Sequence, residues 1–272
     1  MGLRINTNVQ ALNTARILRR STLDLNKSLE RLSSGLRINR AADDAAGLAI
    51  AEGLRSQVRG TQVAQRNSQD GISLVQTAEG ALSDTTNILQ RMRELTIQAT
   101  NGTQSDANRT ALNQEVGQLL AQIDAIALQT EFNGIKVLSS AQTITLQAGA
   151  YTSQFLSVTV AGSKTNDLGV NTVSISNYVQ AVSAISTLDV AIQSVSSLRS
   201  RLGAFQNRLE FTISTLAIQE ENASASESAI RDADIAQETI RFTRNQILVS
   251  AGTSVLAQAN VVPQTALQLL GR

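Results

Sequence analysis

The amino-acid sequence predicts a mainly α-helical protein, in which long antiparallel helices form a terminal coiled-coil stem and a helical-bundle body, with a small β-hairpin region in the body. Apolar residues recur at intervals of three, four and seven over most of the 272 residues, as in helices that pair along a narrow stripe. Aromatic residues make up only 3% and there is one proline, so apolar contacts must come from alanine and the aliphatic residues. Strand-like alternation is confined to about residues 135–176.

The composition argues against several classes of activity. The chain has no cysteine and no histidine, which removes thiol nucleophiles, imidazole bases and the usual zinc ligands, so we expect neither an enzyme nor a cofactor. A net charge of +1 with few aromatics does not fit a nucleic-acid-binding surface. The first residues lack a continuous apolar stretch and no run of about 18 apolar residues occurs, so the sequence predicts neither a cleavable secretory signal nor membrane insertion.

Both ends of the chain carry incomplete apolar stripes at intervals of mostly three, four or seven. A helix with such a stripe cannot bury it alone, so we expect the two terminal helices to pair with one another. The alternative is that each lies as a separate amphipathic helix on the central region. The predicted stem residues are Ile5, Val9, Leu12, Leu25, Leu29, Leu32, Leu248, Val255, Val262 and Leu269.

A polar interruption separates the first helical pattern from the second. Gly35 supplies the backbone freedom that ends a helix, and Asp43 and Asp44 stand where the next helix needs a carboxylate cap. The two aspartates could instead be a catalytic pair, but no pocket-forming sequence surrounds them, so capping is the preferred interpretation. With Asn39 these residues form a joint, and the Ser- and Asp-rich stretch Ser224–Asp234 forms a second one.

The two joints divide the chain into a stem, built from residues 1–43 and 230–272, and a body built from residues 44–229. An Asn-Gly pair at 101–102 is expected to turn the second body helix back antiparallel on the first. The predicted body elements are helices at about 44–100, 105–131 and 177–223, and strands at 143–147 and 156–160.

The segment Leu89–Gln98 places Arg91 and Glu94 beside the apolar stripe of a body helix. In one interpretation this is a solvated face with local ion pairs worth a few tenths of a kcal/mol. In the other it is a contact surface for another copy, for which arginine is a suitable anchor. The pattern alone does not decide between them.

Several motifs, in the same order along the chain, resemble bacterial flagellins. Five segments resemble the amino-terminal half of that family. They are INTNVQAL from Ile5, LSSGLRINRAADDAAGLAIA from Leu32, RNSQDGISLVQTAEGAL from Arg66, LQRMRELTIQATNGT from Leu89 and TEFNGIKVL from Thr130. The carboxy-terminal half resembles LGAFQNRLEFTI from Leu202, IRDADIAQET from Ile230 and ILVSAGTSVLAQAN from Ile247. The long variable insertion that many flagellins carry between Ile144 and Asn177 is missing, which implies a short form without outer variable domains.

The resemblance implies a structural subunit that polymerises with many copies of itself into the helical filament of the bacterial flagellum, for swimming motility. It implies export in unfolded form through a type III apparatus, without a cleavable signal, and folding at the extracellular tip. A filament cap, hook-junction proteins and an export chaperone are the implied partners, and the stem residues are the implied subunit interface. The alternative within the same assembly is a hook-filament junction protein.

The resemblance also bears on the Leu89–Gln98 segment. In flagellins that a Toll-like innate receptor detects, the recognised surface includes an arginine, a leucine and a glutamate that match Arg91, Leu95 and Glu115. It therefore implies a host Toll-like receptor as a partner. In the family the same surface packs subunits together, which favours the contact role for Arg91.

Overall fold

The structure is a computed structural model that describes the backbone of residues 7–270 and the side chains of residues 7–261. Within this range it contains five long helices and two small antiparallel strand pairs, which confirms the predicted fold class. Ile5 and the side chains of Val262 and Leu269 lie outside the described residues. The elements are α1 Val9–Ser34, α2 Ala45–Ala99, α3 Asp106–Gln129, β1 Glu131–Phe132, β2 Ile135–Lys136, β3 Gln142–Gln147, β4 Phe155–Val160, α4 Tyr178–Arg231 and α5 Ile235–Leu270.

The chain divides into two compact units, whose boundaries fall inside α2 and α4. Residues 1–56 and 222–272 form the terminal unit, and residues 57–221 form the central unit. These units are defined by packing within one chain. The predicted stem and body are defined differently: the stem is the part of the chain that orders on assembly, and the body is the part that folds before it. That division stays a prediction.

In the terminal unit, α1 and α5 pack against each other, which confirms that the two ends of the chain pair. Three contacts show that the helices run antiparallel. The side-chain amide of Asn8 donates to the carbonyl of Ala259 at 2.7 Å, and Arg31 approaches Glu238 at 3.6 Å. Between these ends, a Cβ added to Gly252 would lie 3.1 Å from Cδ1 of Leu18.

The residues that face inward between the two helices differ from the predicted stripes. They recur at alternating intervals of three and four, as a coiled-coil seam does, but they alternate large side chains with small or polar ones. A prediction from large apolar residues therefore selects neighbouring positions, because serine, threonine, glycine and asparagine are not recognised as seam residues by their hydrophobicity. The pairing faces are Ala11, Thr14, Leu18, Ser21, Leu25, Ser28 and Leu32 on α1, and Glu238, Phe242, Asn245, Val249, Gly252, Leu256 and Ala259 on α5.

The central unit encloses the main hydrophobic core, which α2, α3 and α4 share. α4 runs antiparallel to α2, as shown by Arg93 with Asp189 at 2.6 Å and Gln62 with Glu220 at 2.7 Å. Ser105 caps α3 by accepting the N–H of Asn108, and α3 folds back along α2 as predicted. The largest fully buried side chains include Leu82, Leu89, Met92, Leu95, Ile123, Leu138, Leu188, Leu202 and Leu209.

The β region of the central unit begins earlier than predicted. α3 ends at Gln129, and β1 and β2 form a tight hairpin whose turn residues Asn133 and Gly134 have φ of 50° and 79°. The predicted strands at 143–147 and 156–160 are confirmed as β3 and β4, paired antiparallel from Gln142 with Val160 to Gln147 with Phe155. This second hairpin lies along α2, where Gly60 and Gly71 leave room for it.

The second joint is shorter than predicted, because α4 continues to Arg231 and only residues 232–234 separate it from α5. Serine and aspartate at these positions predict a break between helices, but inside the helix the serines bond to the backbone one turn earlier. Ser226, for example, donates its hydroxyl to the carbonyl of Asn222 at 2.7 Å. Ala223 is buried, so packing also favours a continued helix here.

By length and composition alone, α4 contains an 18-residue window apolar enough to cross a membrane, with a mean hydropathy of 1.3. The sequence does not predict such a window when only continuous runs of apolar residues are considered. A helix of a protein core has the same composition, and inward residues of α4 such as Ala181, Leu188 and Leu198 are buried in the core of the central unit. The apolar content of α4 is therefore explained by that core.

Two glycines of α2 give opposite predictions for substitution by alanine. A Cβ on Gly60 would lie 2.9 Å from Cβ of Ala150 in the β3–β4 connection, whereas a Cβ on Gly80 meets nothing within 4 Å. We expect Gly80→Ala to stabilise the protein by about 0.5–1 kcal/mol, since alanine is the better helix former. We expect Gly60→Ala to destabilise it by roughly 1–3 kcal/mol through overpacking. Urea unfolding of both variants tests this, and equal effects of the same sign would contradict the close approach of the hairpin.

Candidate association surfaces

Pairing uses one face of α1 and leaves large apolar side chains on its other faces. These outer apolar residues of α1 are 55–64% exposed. Burying the exposed part of each would contribute roughly 1–2 kcal/mol, so together they form an unsatisfied apolar surface. They are Val9, Leu12, Ile17, Leu23 and Leu29, of which Val9, Leu12 and Leu29 belong to the predicted stem residues.

α5 presents a corresponding set. Its outer apolar residues are 44–63% exposed and include the predicted stem residues Leu248 and Val255. Leu25 and Leu32 of the predicted set lie instead on the pairing face of α1 and are half-buried. A shallow apolar depression of about 420 Å³ lies around Ile240, Ile247 and Leu248. The outer apolar residues of α5 are Ile235, Ile240, Ile247, Leu248, Val255 and Val261.

The two joints contact each other through backbone hydrogen bonds within the terminal unit. Gly35 ends α1 in the left-handed conformation, with φ of 72°, and its carbonyl accepts the N–H of Ala233 at 2.9 Å. Arg37 donates its N–H to the carbonyl of Arg231 at 2.7 Å, and its guanidinium donates to the carbonyl of Ile230. These contacts form a short antiparallel bridge between residues 35–37 and 231–233.

The polar residues of the first joint hold its turn in shape. Asp44 caps α2 by accepting the N–H of Gly47 at 2.8 Å, as the sequence predicts. Asp43 does not cap a helix. It accepts the N–H groups of Asn39 and Arg40 and pairs with the ammonium of Lys27 at 2.6 Å.

These partners favour the charged form of Asp43. The hydrogen bond from Lys27, together with those from the two backbone N–H groups, lowers the pKa of Asp43 to about 2, against the opposing effect of burial. The ionised carboxylate is therefore a fixed part of the joint. Its exposed neighbour Arg40 pairs with Glu30 at 2.9 Å, which ties the same turn to α1 a second time.

The three residues matched to receptor recognition are not equivalent in the structure. Arg91 pairs with Glu115 of α3 at 2.9 Å and with Glu94 at 3.2 Å. These pairs raise the pKa of Arg91, and the hydrogen bond to Glu115 has the largest effect. Arg91 and Glu115 are exposed or nearly so. Leu95 is only 1% exposed and belongs to the core, so in this structure its side chain offers no surface to a partner.

Glu238 is a residue of the α1–α5 pairing that sequence reasoning missed. It is 5% exposed and lies beside Arg31 and Arg241, at 3.6 Å and 3.5 Å. Its position seven residues before Asn245, on the same alternating spacing as Phe242, was the available signal. The residue type argues against a pairing position, because charged residues are rarely buried without a partner.

Among residues 7–261, no group of three acidic side chains is arranged as metal ligands would be. The features that stand out are paired terminal helices, uncovered apolar side chains on both of them, and a polar joint. They define a mainly helical protein whose two chain ends pair and leave apolar side chains exposed.

Comparison with known proteins specifies the class. The family described as the bacterial flagellin N-terminal helical region matches residues 5–143, and the bacterial flagellin C-terminal helical region matches residues 185–270. The chain belongs to the bacterial flagellin family, which is a family of structural proteins and not of enzymes.

Individual relatives agree with this assignment. A flagellin of Halalkalibacterium halodurans is 47% identical over 271 residues, covering 98% of this chain and 99% of the relative. A flagellin of Bacillus subtilis (strain 168) is 44% identical over 305 residues, covering 98% of this chain and all of the relative. The solved structure of a putative flagellar hook-associated protein from Vibrio parahaemolyticus shares the fold, with a TM-score of 0.57, at 10% identity, over 70% of this chain and 100% of that one.

The joint gives a prediction for pH. Since the pKa of Asp43 is lowered to about 2 from 3.8, its ionised form stabilises the folded joint above the higher value, and this contribution is lost as pH falls towards the lower one. We expect Lys27→Met to raise the pKa of Asp43 towards 3.8, which carbon NMR titration of the labelled carboxyl measures. Lys164→Met, which removes a lysine from the central unit, is the control. An unchanged Asp43 pKa in Lys27→Met would show that Lys27 is not the cause.

Proposed function

We infer that this protein is a structural subunit of the bacterial flagellar filament, which polymerises with many copies of itself outside the cell. Membership of the flagellin family supports a filament subunit, and two relatives from Treponema are named as flagellar filament core proteins. The observation in this chain that carries the proposal is the set of outer apolar residues on α1 and α5. They remain exposed although both helices are already paired.

The position of these residues favours an open polymer. They lie on faces that pairing within the chain leaves uncovered, so a neighbouring copy can cover them without displacing either helix. When the contacted surfaces of two copies differ and the rotation between the copies does not close, addition continues as a helical filament. In this proposal the outer apolar residues of α1 and α5 form the subunit interface, and the stem orders fully only when neighbours cover it. Of the predicted stem residues, this set includes Val9, Leu12, Leu29, Leu248 and Val255.

The same proposal includes the finer points of assembly. The chain travels unfolded through an export apparatus without a cleavable signal and folds at the filament tip, with a cap, hook-junction proteins and an export chaperone as its partners. The absence of cysteine supports this route, since no disulfide has to form or open on the way. The joint residues Gly35, Asn39, Asp43 and Asp44 also contact neighbouring subunits in this arrangement.

Substitutions at outer positions of α5 test the proposal. We expect Leu248→Gln with Val255→Gln to raise the critical concentration for seeded filament growth by at least about tenfold, because each change places an uncompensated amide in the subunit interface. Light scattering and electron microscopy measure the growth. The matched control is Leu248→Ile with Val255→Leu, which keeps both positions apolar and should retain growth.

The central unit provides the internal reference for this experiment. Both residues lie on the outer faces of α5 and outside the core of residues 72–209, so the urea midpoint of that core should not change. Wild-type growth by the glutamine variant would mean that these positions are not in the subunit interface.

We also propose that Arg91 and Glu115 form a recognition surface for a host Toll-like receptor. Their exposed ion pair across α2 and α3 is a fixed, charged feature of the kind that such interfaces use. Arg91→Ala with Glu115→Ala should lower signalling by purified monomer in receptor-expressing cells roughly tenfold. Arg93→Ala with Asp189→Ala removes a comparable exposed pair and should not. No signalling by the wild-type monomer would refute the proposal.

A further inference from the structure

The sequence contains two Asn-Gly pairs, and each lies in an exposed turn of the central unit. Asn101 and Gly102 follow the end of α2, and Asn133 and Gly134 form the turn of the β1–β2 hairpin. An asparagine before a glycine is chemically labile, because glycine has no side chain to shield its backbone nitrogen. Both pairs share this local sequence, so a difference in their reactivity must come from the fold.

The reaction open to such a pair is loss of the side-chain amide. The glycine nitrogen gives its proton to hydroxide and forms a bond with Cγ of the asparagine. The Cγ–Nδ2 bond then breaks, and the departing nitrogen takes a proton from water and leaves as ammonia. The product is a cyclic succinimide, which forms readily because both reacting groups belong to one short segment. Water opens the ring at either carbonyl and leaves aspartate or isoaspartate.

The turn between α2 and α3 activates the attacking nitrogen. The carbonyl oxygen of Asn101 belongs to the same peptide unit as the N–H of Gly102, and it accepts the guanidinium of Arg109 at 3.3 Å. It also accepts the N–H of Gln104 at 3.1 Å. These donors stabilise the negative charge that spreads onto the oxygen when the nitrogen loses its proton. Among the described residues, no backbone carbonyl accepts the N–H of Gly102, so this nitrogen can react.

The attacked side chain is activated as well. Oδ1 of Asn101 accepts the N–H of Thr103 at 3.2 Å. This bond stabilises the oxyanion that forms when nitrogen attacks Cγ, as the donors of an oxyanion hole do. Arg109 is fixed in place for its part, since it is 8% exposed, donates to the carbonyl of Ala99 at 2.9 Å and pairs with Asp106 at 3.0 Å.

The second pair has the opposite geometry. Asn133 has a φ of 50°, in the left-handed region. A residue in that region also has a ψ of about 50°, which turns the nitrogen of Gly134 to the side opposite the Asn133 side chain. The antiparallel pairing of Phe132 with Ile135 holds the turn in this conformation. Cγ is therefore out of reach of the nitrogen while the hairpin is formed.

We propose that Asn101 deamidates spontaneously in the folded protein, because Arg109 and Thr103 activate its reacting groups. Asn133 is protected by its left-handed conformation. The reaction consumes one water and needs no enzyme. It adds one negative charge to a chain whose net charge is +1, in the turn that joins α2 to α3. The site lies in the central unit, so the proposal does not depend on the pairing of the chain ends or on polymerisation.

Incubation of the purified full-length chain at mildly alkaline pH tests the proposal. Tandem mass spectrometry of proteolytic peptides localises each change from amide to acid. In the folded chain we expect Asn101 to react roughly tenfold or more faster than Asn133. In guanidinium chloride neither turn persists, so the two asparagines should react at similar rates. The ratio of the two rates therefore isolates the contribution of the fold.

Two variants test the chemistry at the site. Gly102→Ala adds a Cβ that meets nothing within 4 Å at a φ outside the left-handed region, so the fold should persist. It shields the nitrogen and should slow the reaction at Asn101 roughly tenfold or more. Arg109→Met removes the charged donor and should also slow it roughly tenfold. Arg66→Met, which removes an exposed arginine of α2, is the control and should react as the wild type does.

Three results would overturn the proposal or its parts. Equal rates at Asn101 and Asn133 in the folded chain would overturn it, and so would a ratio of rates that is the same in the folded and the denatured chain. An unchanged or raised rate at Asn101 in Arg109→Met would show that Arg109 does not activate the site. Circular dichroism and the urea midpoint verify that each variant is folded.

Discussion

The antiparallel pairing of α1 with α5 is the interaction on which the rest of the terminal unit depends. It uses one narrow face of each helix, and that face is poor in apolar surface because serine, threonine, glycine and asparagine occupy many of its layers. Small and polar layers allow the helix backbones to approach closely but contribute little burial. The larger apolar side chains remain on the other faces, where nothing in the described part of the chain covers them.

The central unit contrasts with this arrangement. Its core is continuous from Ile72 to Leu209 along α2, α3 and α4, and its largest members are fully buried. Its helices are also held by ion pairs between elements, such as Arg93 with Asp189 and Arg199 with Glu79. One chain therefore combines a unit that encloses a large apolar core with a unit that encloses little, although the central unit also leaves apolar side chains such as Val190 and Phe211 exposed. That contrast fits a subunit whose ends are completed by assembly.

Much of the fold could be predicted from the sequence, and the exceptions have physical causes. Periodicity is a strong signal in long helices, so the helices, the pairing of the ends and the β3–β4 hairpin were predictable. The pairing face was not, because its register depends on small and polar residues such as Ser21 and Gly252. Nor was the end of α4, where serine side chains bond back to the helix instead of ending it.

In the joint, too, the sequence predicts local features of single residues but not their contacts with distant parts of the chain. The positions of Gly35 and Asp44 predict a stop and a cap, which are local events. The role of Asp43 depends on Lys27, which lies on a preceding helix, and the bridge depends on a partner segment almost two hundred residues away. Likewise Leu95 matches a recognition motif by sequence but is held in the core by its neighbours on other helices.

The central claim is that neighbouring subunits complete the terminal helices and leave the central core as it is. Hydrogen exchange of the backbone amides, compared between the soluble chain and the assembled filament, tests this most directly. The account predicts a large gain of protection on assembly in α1 and in the described part of α5, and little change along the buried face of α2 from Ile72 to Ala99. Equal protection of α1 and α5 in both states would contradict it, because the terminal helices would then be complete without neighbours.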